Sequence, residues 1–190
     1  MDKRGVARRI LVPVLCLAAV AAAPIRRQQV NPTAAVLDRF QERVRDYLKV
    51  RKQVEATLPP LKTTADPAVI RDRQKALAQA IRQSRVTARP GDIFIPEVAP
   101  VFRKLIAADF TQRTPEQRRG ALKEVPAVHL RPNDDYPDNL PLATVPPTLL
   151  AQLPRLPDGL EFRFVGSAII LRDINPNLVI DILDDVIPRR

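Results

Sequence analysis

The chain has 190 residues, 45% of them hydrophobic, and a formal net charge of +10 at pH 7. This length and apolar content are enough for one domain with a buried core, which argues against an intrinsically disordered chain. Aromatic residues make up 4% of the sequence and tryptophan is absent, so the stacking platforms used to bind single-stranded nucleic acid are scarce and no nucleic-acid partner is expected.

Residues 1–23 have the pattern of a secretory signal peptide. A basic start, MDKRGVARR, precedes the apolar run ILVPVLCLAAVAAA from Ile10 to Ala23. This run is shorter than the ~20 apolar residues of a membrane-spanning helix and fits the apolar region of a signal. We therefore expect export to the periplasm or the extracellular space, with an uncleaved membrane anchor as the alternative. Cleavage would remove Cys16, the one cysteine of the chain, leaving a mature chain without disulfides or thiol ligands.

The next segments predict an antiparallel helical hairpin, with helices at 33–58 and 67–88. In the first helix apolar residues recur at steps of three and four, which is a helical period. Thr33 is its predicted N-cap, and two consecutive prolines end it. The second helix begins at Asp66, an N-cap that is followed by proline in the first turn. The short connection favours antiparallel packing of the two helices.

Two further helices are predicted after the hairpin. Apolar residues at helical spacing run from Val98 to Phe110, and Pro100 marks the first turn. The sequence TPEQ then places Thr114 as an N-cap with Gln117 three residues later, the signature of a capping box. A short fourth helix is therefore expected.

Residues 126–157 contain eight prolines and form a predicted proline-rich strap. Prolines hold the backbone extended or turned and reduce the entropy of the unfolded chain. A short helix is expected from Pro146 to Leu153. Apolar side chains recur between the prolines and are expected to pack on the core: Tyr136, Leu140, Leu142, Val145, Leu149, Leu150, Leu153 and Leu156.

The C-terminal region, 160–187, changes to a strand-like period. LEFRFV and AIILRDI are separated by Gly166 and Ser167, which predicts a β-hairpin with a two-residue turn. Apolar residues from Leu178 to Ile187 fit a short helix better than a strand, although Leu178, Ile180 and Ile182 also alternate. Residues 24–190 are thus expected to form a single, mainly helical α+β domain.

Two segments carry a resemblance to other proteins. GDIFIPEV and YPDNLPLATVPPTLLAQLPRLPDGLEFRFVGSAIILRDINPNLVIDIL resemble a group of uncharacterised exported bacterial proteins, and the resemblance covers most of the mature chain. It implies export and a single fold. It transfers no catalytic residue to this sequence.

The strap also contains the residues that would support an enzyme. A hydrolase could use His129 as a base oriented by Asp134, Asp135 or Asp138, although no nucleophile motif such as G-x-S-x-G is present. The same carboxylates with Asn133 offer the oxygen ligands that calcium requires, but their order does not match an EF-hand loop. The alternative is a purely structural role in caps and turns. The glycines are too dispersed for a phosphate-binding loop, and no cofactor is predicted.

Charge gives the second functional indication. Thirteen Lys and Arg face six Asp and Glu between Asp38 and Arg89, so the helical hairpin holds the excess of positive charge. A basic helical face outside the cytoplasm can bind an envelope protein or an anionic lipid or polysaccharide surface. We therefore predict a non-enzymatic exported binding protein, with a hydrolase or calcium-dependent enzyme as the alternative. The predicted contact cations are Arg43, Lys49, Arg51, Lys52, Arg71, Arg73, Lys75 and Arg82.

Overall fold

A computed structural model describes residues 31–60, 63–123, 125–141, 143 and 145–187; the predicted signal peptide lies outside them. The fold is α+β, as predicted, with helices before the sheet in the chain. The helices are α1 Pro32–Thr57, α2 Pro67–Ser84, α3 Ala99–Gln112, α4 Pro115–Leu122 and α5 Pro147–Leu150. The strands are β1 Leu160–Val165, β2 Ala168–Asp173 and β3 Leu178–Leu183.

Proline occupies the first turn of all five helices, where its missing N–H has no intrahelical partner to lose. The Asp66 side chain accepts from Ala68 N at 2.8 Å, and Thr114 and Gln117 form the predicted capping box. The predicted cap of α1 is wrong by two residues. Asn31 caps this helix by accepting from Thr33 N at 3.0 Å, because Pro32 already takes the first helical position.

Helices α1 and α2 form the predicted antiparallel hairpin. The guanidinium of Arg85, just after α2, lies 5.3 Å from the ring centroid of Tyr47 in the middle of α1. At the other end, Glu55 of α1 and Arg73 of α2 line one cavity. The second helix ends at Ser84, not at residue 88, since the apolar stripe stops there and Val86 is 80% exposed.

The sheet has three antiparallel strands in the order β1-β2-β3. Strands β1 and β2 form the predicted hairpin, with Val165 paired to Ala168 across the turn. The helix predicted at 178–187 is wrong, because Leu178–Leu183 is strand β3, which pairs with β2. Its apolar residues face both sides of the sheet, so they form a nearly continuous run that resembles a helical pattern. The third strand also supplies the partner that a lone hairpin lacks in water.

Both faces of the sheet are covered. On one face, side chains of β1 to β3 join the core built by α1, α2 and α3, where Phe40, Phe94, Phe102 and Phe162 lie with ring centroids 5.0 to 6.4 Å apart. The other face packs against Leu130 and Tyr136 of the proline-rich strap. The few aromatic residues are therefore concentrated in the core.

Of the predicted anchors of the strap, Leu142 lies outside the described residues, and the others are buried or half-buried with the exception of Leu150. Leu149 is fully buried in α5, whereas Leu150 is 41% exposed. The short helix ends at Leu150 rather than Leu153. Two adjacent helical residues point about 100° apart, so a single turn of helix lying on the core buries only one of them.

Among the described residues, none of the helices combines the length and the apolar composition needed to cross a bilayer.

Candidate functional site

The stretch that holds the histidine and the aspartates lies along the free edge of β3. Asn133 N donates to Val179 O at 2.8 Å, and Val179 N donates to Asp134 O at 2.9 Å. Tyr136 N continues the pattern by donating to Asn177 O at 3.0 Å. The strap therefore satisfies backbone groups that an edge strand would otherwise expose.

The three aspartates of this stretch have separate partners. Asp134 accepts from Arg131 N at 2.7 Å, within its own turn. Asp135 forms an ion pair with Arg82, and Asp138 accepts from Asn177 Nδ2 at 3.1 Å. Within the part of the chain that the structure describes, no three acidic, histidine or cysteine side chains are arranged to hold a metal ion. These aspartates therefore take part in a turn, an ion pair and a hydrogen bond, and in the described residues they do not form a calcium site.

His129 is exposed, and no hydrogen bond or ion pair of its imidazole occurs within the described ranges. The candidate orienting carboxylates are engaged elsewhere. Ser84 and Ser167 are both exposed. Ser167 Oγ donates to Asp185 Oδ1 at 3.5 Å, and no hydrogen bond joins either serine to His129 within the described residues. A hydrolase needs a nucleophile and an oriented base within hydrogen-bond reach, and the structure does not bring these residues together.

Asn133 fixes the strap to the end of α2. Its backbone is left-handed, with φ 73°, a conformation that asparagine tolerates better than most residues. Its Nδ2 donates to Arg85 O at 2.7 Å, and its own carbonyl accepts from Arg82 Nε at 2.8 Å. The residue that was a candidate calcium ligand is thus a structural connection between strap and helix.

Among the described residues, two carboxylates that were not sequence candidates are completely inaccessible to solvent, and the first is Asp173 at the end of β2. It is fully buried and accepts from Tyr47 Oη at 2.7 Å, and Arg51 Nη1 lies 3.3 Å away. Burial raises the pKa of Asp173, although the Tyr47 hydrogen bond and the Arg51 charge oppose the shift. Burial also raises the pKa of Tyr47, so its hydroxyl stays protonated and donates. This cluster joins α1 to the sheet.

Replacing Tyr47 with phenylalanine is expected to lower the free energy of unfolding by about 1.5–3 kcal/mol, the range for hydrogen bonds to charged groups. Tyr136→Phe is the matched control, because Tyr136 Oη donates to the neutral carbonyl of Pro141 at 2.7 Å and its loss should cost about 1 kcal/mol. Urea denaturation of both variants measures the difference. Equal effects would contradict a charged acceptor at Tyr47.

The loss in the Tyr47 variant should depend on pH. A carboxyl with a raised folded-state pKa contributes stability that is present at acid pH and is lost as pH rises from its ordinary range through the folded-state pKa. Removing the Tyr47 hydroxyl further destabilises the ionised form of Asp173 in the folded protein. The loss of stability should therefore be larger at neutral than at acid pH. A penalty that shrinks as pH rises would be the opposite of this expectation.

The second buried carboxylate, Asp181 in β3, holds the loop before α3. Its Oδ1 accepts from Gly91 N at 2.9 Å, and its Oδ2 accepts from Ile93 N and Phe94 N, both at 2.7 Å. Burial raises the pKa of Asp181, whereas the backbone N–H groups act in the opposite direction. This contact is structural, since every donor is a main-chain group.

The basic surface differs from the prediction in its membership. Arg51 does not lie on it, because its side chain is only 12% exposed and pairs with Asp173. Arg82 is committed to Asp135, and Arg39 pairs with Glu97 at 2.9 Å. Carboxylates from outside the hairpin therefore neutralise part of its positive charge. These carboxylates are distant in the sequence, so the ion pairs could not be predicted from it.

Three of the remaining exposed cations lie on one side of α1. Arg45, Lys49 and Lys52 are exposed at positions i, i+4 and i+7, which places them on one helical face. Lys49 pairs with Asp46 at 2.8 Å; none of the ion pairs in the described chain involves Arg45 or Lys52. We call Arg45, Lys49 and Lys52 the α1 cation row. Arg45 was missing from the predicted contact set.

The other predicted cations have different surroundings. Arg43 is exposed on α1 away from the row, and Arg71 and Lys75 are exposed on α2, where they line a groove with Asp135 and Asp138. Arg73 is half-buried, and its buried Nη1 has no hydrogen-bond partner among the residues described. The cations of α2 therefore lie close to acidic groups of the strap, whereas the α1 cation row does not.

Comparison of the chain with protein-family models, with curated proteins and with solved structures finds no match.

Proposed function

We propose that the protein is an exported, non-enzymatic protein that binds an anionic partner through the α1 cation row. The observation that supports this proposal most directly is the row itself. Arg45, Lys49 and Lys52 share one exposed helical face, and within the described residues only Lys49 forms an ion pair. Three cations on one face attract polyanions and raise the rate of encounter with them.

Export enters the proposal from the sequence of residues 1–23, a basic start followed by an apolar run. Outside the cytoplasm the anionic candidates are lipid headgroups, polysaccharides and acidic proteins. All of them carry several closely spaced negative charges. We therefore describe the ligand of the α1 cation row by this shared property, as a polyanion. Within the described residues, His129 is exposed and the candidate carboxylates have other partners, which supports a non-enzymatic role.

A charge-reversal pair tests the proposal. The Arg45→Glu/Lys52→Glu variant should bind dextran sulfate at least about tenfold more weakly than the wild type at low salt, since each cation near an anionic surface contributes about 1 kcal/mol. Binding can be measured by retention on an immobilised polymer and by calorimetric titration. Added salt should weaken the wild-type complex.

The matched control is Lys104→Glu/Lys123→Glu, which makes the same change in net charge at exposed sites on α3 and after α4. It should bind nearly as well as the wild type. Equal losses in the two double variants would mean that net charge alone drives binding, and this would refute a role for the row.

A further inference from the structure

A cavity of about 340 Å³ lies at the connected end of the helical hairpin, where α2 approaches the β2–β3 turn. Its volume falls within the range of ligand pockets, which combine apolar walls with a few polar groups. We call it the interhelical cavity. One residue of α1, four of α2 and one of the turn line it: Glu55, Ile70, Arg73, Gln74, Leu77 and Asn175.

Arg73 brings a positive charge to this cavity. Its side chain is half-buried, and its buried Nη1 has no hydrogen-bond partner among the residues described. The ion pairs of the described chain do not include Arg73 either. A buried donor of a charged group that lacks an acceptor lowers the stability of a fold. A ligand carboxylate beside Arg73 would supply that acceptor, since it can accept two N–H bonds of a guanidinium at once.

Glu55 brings the opposite charge. Its side chain is exposed, and within the described ranges it forms no ion pair. Glu55 also has a like-charged neighbour: burial is the main cause of the raised pKa of Asp173, and the charge of Glu55 adds to it. Asn175 links this cluster to the cavity, because its N–H donates to Asp173 Oδ1 at 3.2 Å. A cation bound beside Glu55 would therefore be attracted by a carboxylate that has no cation of its own.

We propose that the interhelical cavity binds a free amino acid with an apolar side chain. Arg73 pairs with the ligand carboxylate and Glu55 with the ligand ammonium group, while Ile70 and Leu77 contact the ligand side chain. A ligand with a single negative charge is repelled by Glu55, and one with a single positive charge is repelled by Arg73. A zwitterion matches both charges. A protein partner could place only a side chain or a terminus in a cavity of this volume, and either one would match one charge.

Calorimetric titration of the full chain with leucine and two analogues tests the proposal. Isocaproate has the carbon skeleton and carboxylate of leucine without the ammonium group, and isoamylamine has the ammonium group without the carboxylate. Leucine should bind at least about tenfold more tightly than either analogue, because each analogue loses one contact between charged groups. Equal affinities for leucine and isocaproate would overturn the zwitterion as the ligand. No heat from any of the three compounds at millimolar concentration would overturn the site.

Two substitutions test the assignment of the charges. Arg73→Gln and Glu55→Gln should each weaken leucine binding at least about tenfold. The Glu55→Gln variant should also no longer distinguish leucine from isocaproate, a change that a merely structural role of Glu55 would not produce. Arg71→Gln and Glu42→Gln are the matched controls, since both residues are exposed on the same two helices and do not line the cavity. Equal losses in the controls would overturn the assignment.

This site is independent of the α1 cation row, and the two proposals can fail separately. The Arg45→Glu/Lys52→Glu variant should bind leucine as the wild type does, and loss of leucine binding in this variant would overturn the location of the site. The Arg73→Gln variant should bind dextran sulfate nearly as well as the wild type, which would also show that it is folded. Wild-type binding to dextran sulfate without binding to leucine would overturn the amino-acid proposal alone.

Discussion

Replacing Asp181 with alanine is expected to lower the free energy of unfolding by about 3 kcal/mol or more. The variant would leave the N–H groups of Gly91, Ile93 and Phe94 without the acceptor that they share. Each buried donor left unsatisfied costs about 1–3 kcal/mol. Asp181→Asn should also destabilise the protein, because the amide NH₂ would face N–H donors. Equilibrium denaturation in urea measures both losses.

Asp184→Ala is the control for this prediction. Asp184 is exposed just after the same strand, and surface substitutions of this kind usually change stability by about 0.5 kcal/mol or less. Similar stabilities of the Asp181→Ala and Asp184→Ala variants would show that the loop before α3 does not depend on the buried carboxylate.

Leu149 and Leu150 should respond very differently to truncation. Leu149→Ala is expected to cost about 2–5 kcal/mol, the range for large-to-small changes in a core, because its side chain is fully buried between the strap and the core. Leu150→Ala should cost about 0.5 kcal/mol or less, since Leu150 is 41% exposed. Thermal and urea denaturation of the two variants tests whether the strap is part of the core.

The neighbouring positions make this pair its own control, as both substitutions remove the same atoms from the same turn of helix. An unchanged melting temperature for Leu149→Ala would mean that residues 147–150 are not fixed on the core. Equal losses in the two variants would contradict the orientation of α5.

The helices could be predicted from the sequence because their signals are local. Proline in the first turn, a capping side chain and a periodic apolar stripe lie within a few residues of one another, and Thr114 with Gln117 shows how closely such a signal determines a helix start. Strand β3 was missed because its two faces are both buried. The run LVIDIL then has no polar face, and its period does not distinguish strand from helix.

The candidate site was less predictable, since it depends on contacts between distant parts of the chain. The sequence predicts that Arg51 and Arg82 are surface cations. In the folded protein Arg51 pairs with Asp173, and Arg82 pairs with Asp135. Asp181 could have been noticed, because a single aspartate inside an otherwise apolar strand requires donors if it is buried. No sequence signal indicated that its donors would be the backbone of residues 91–94.

The most direct test of anionic binding through α1 is a map of amide chemical shifts in the full chain during titration with dextran sulfate. The largest changes should occur at Arg45, Lys49 and Lys52, and added salt should reverse them because it screens exposed charges. Changes centred on Lys104 and Lys123, or no change at concentrations that saturate a basic control protein, would contradict the proposed binding surface.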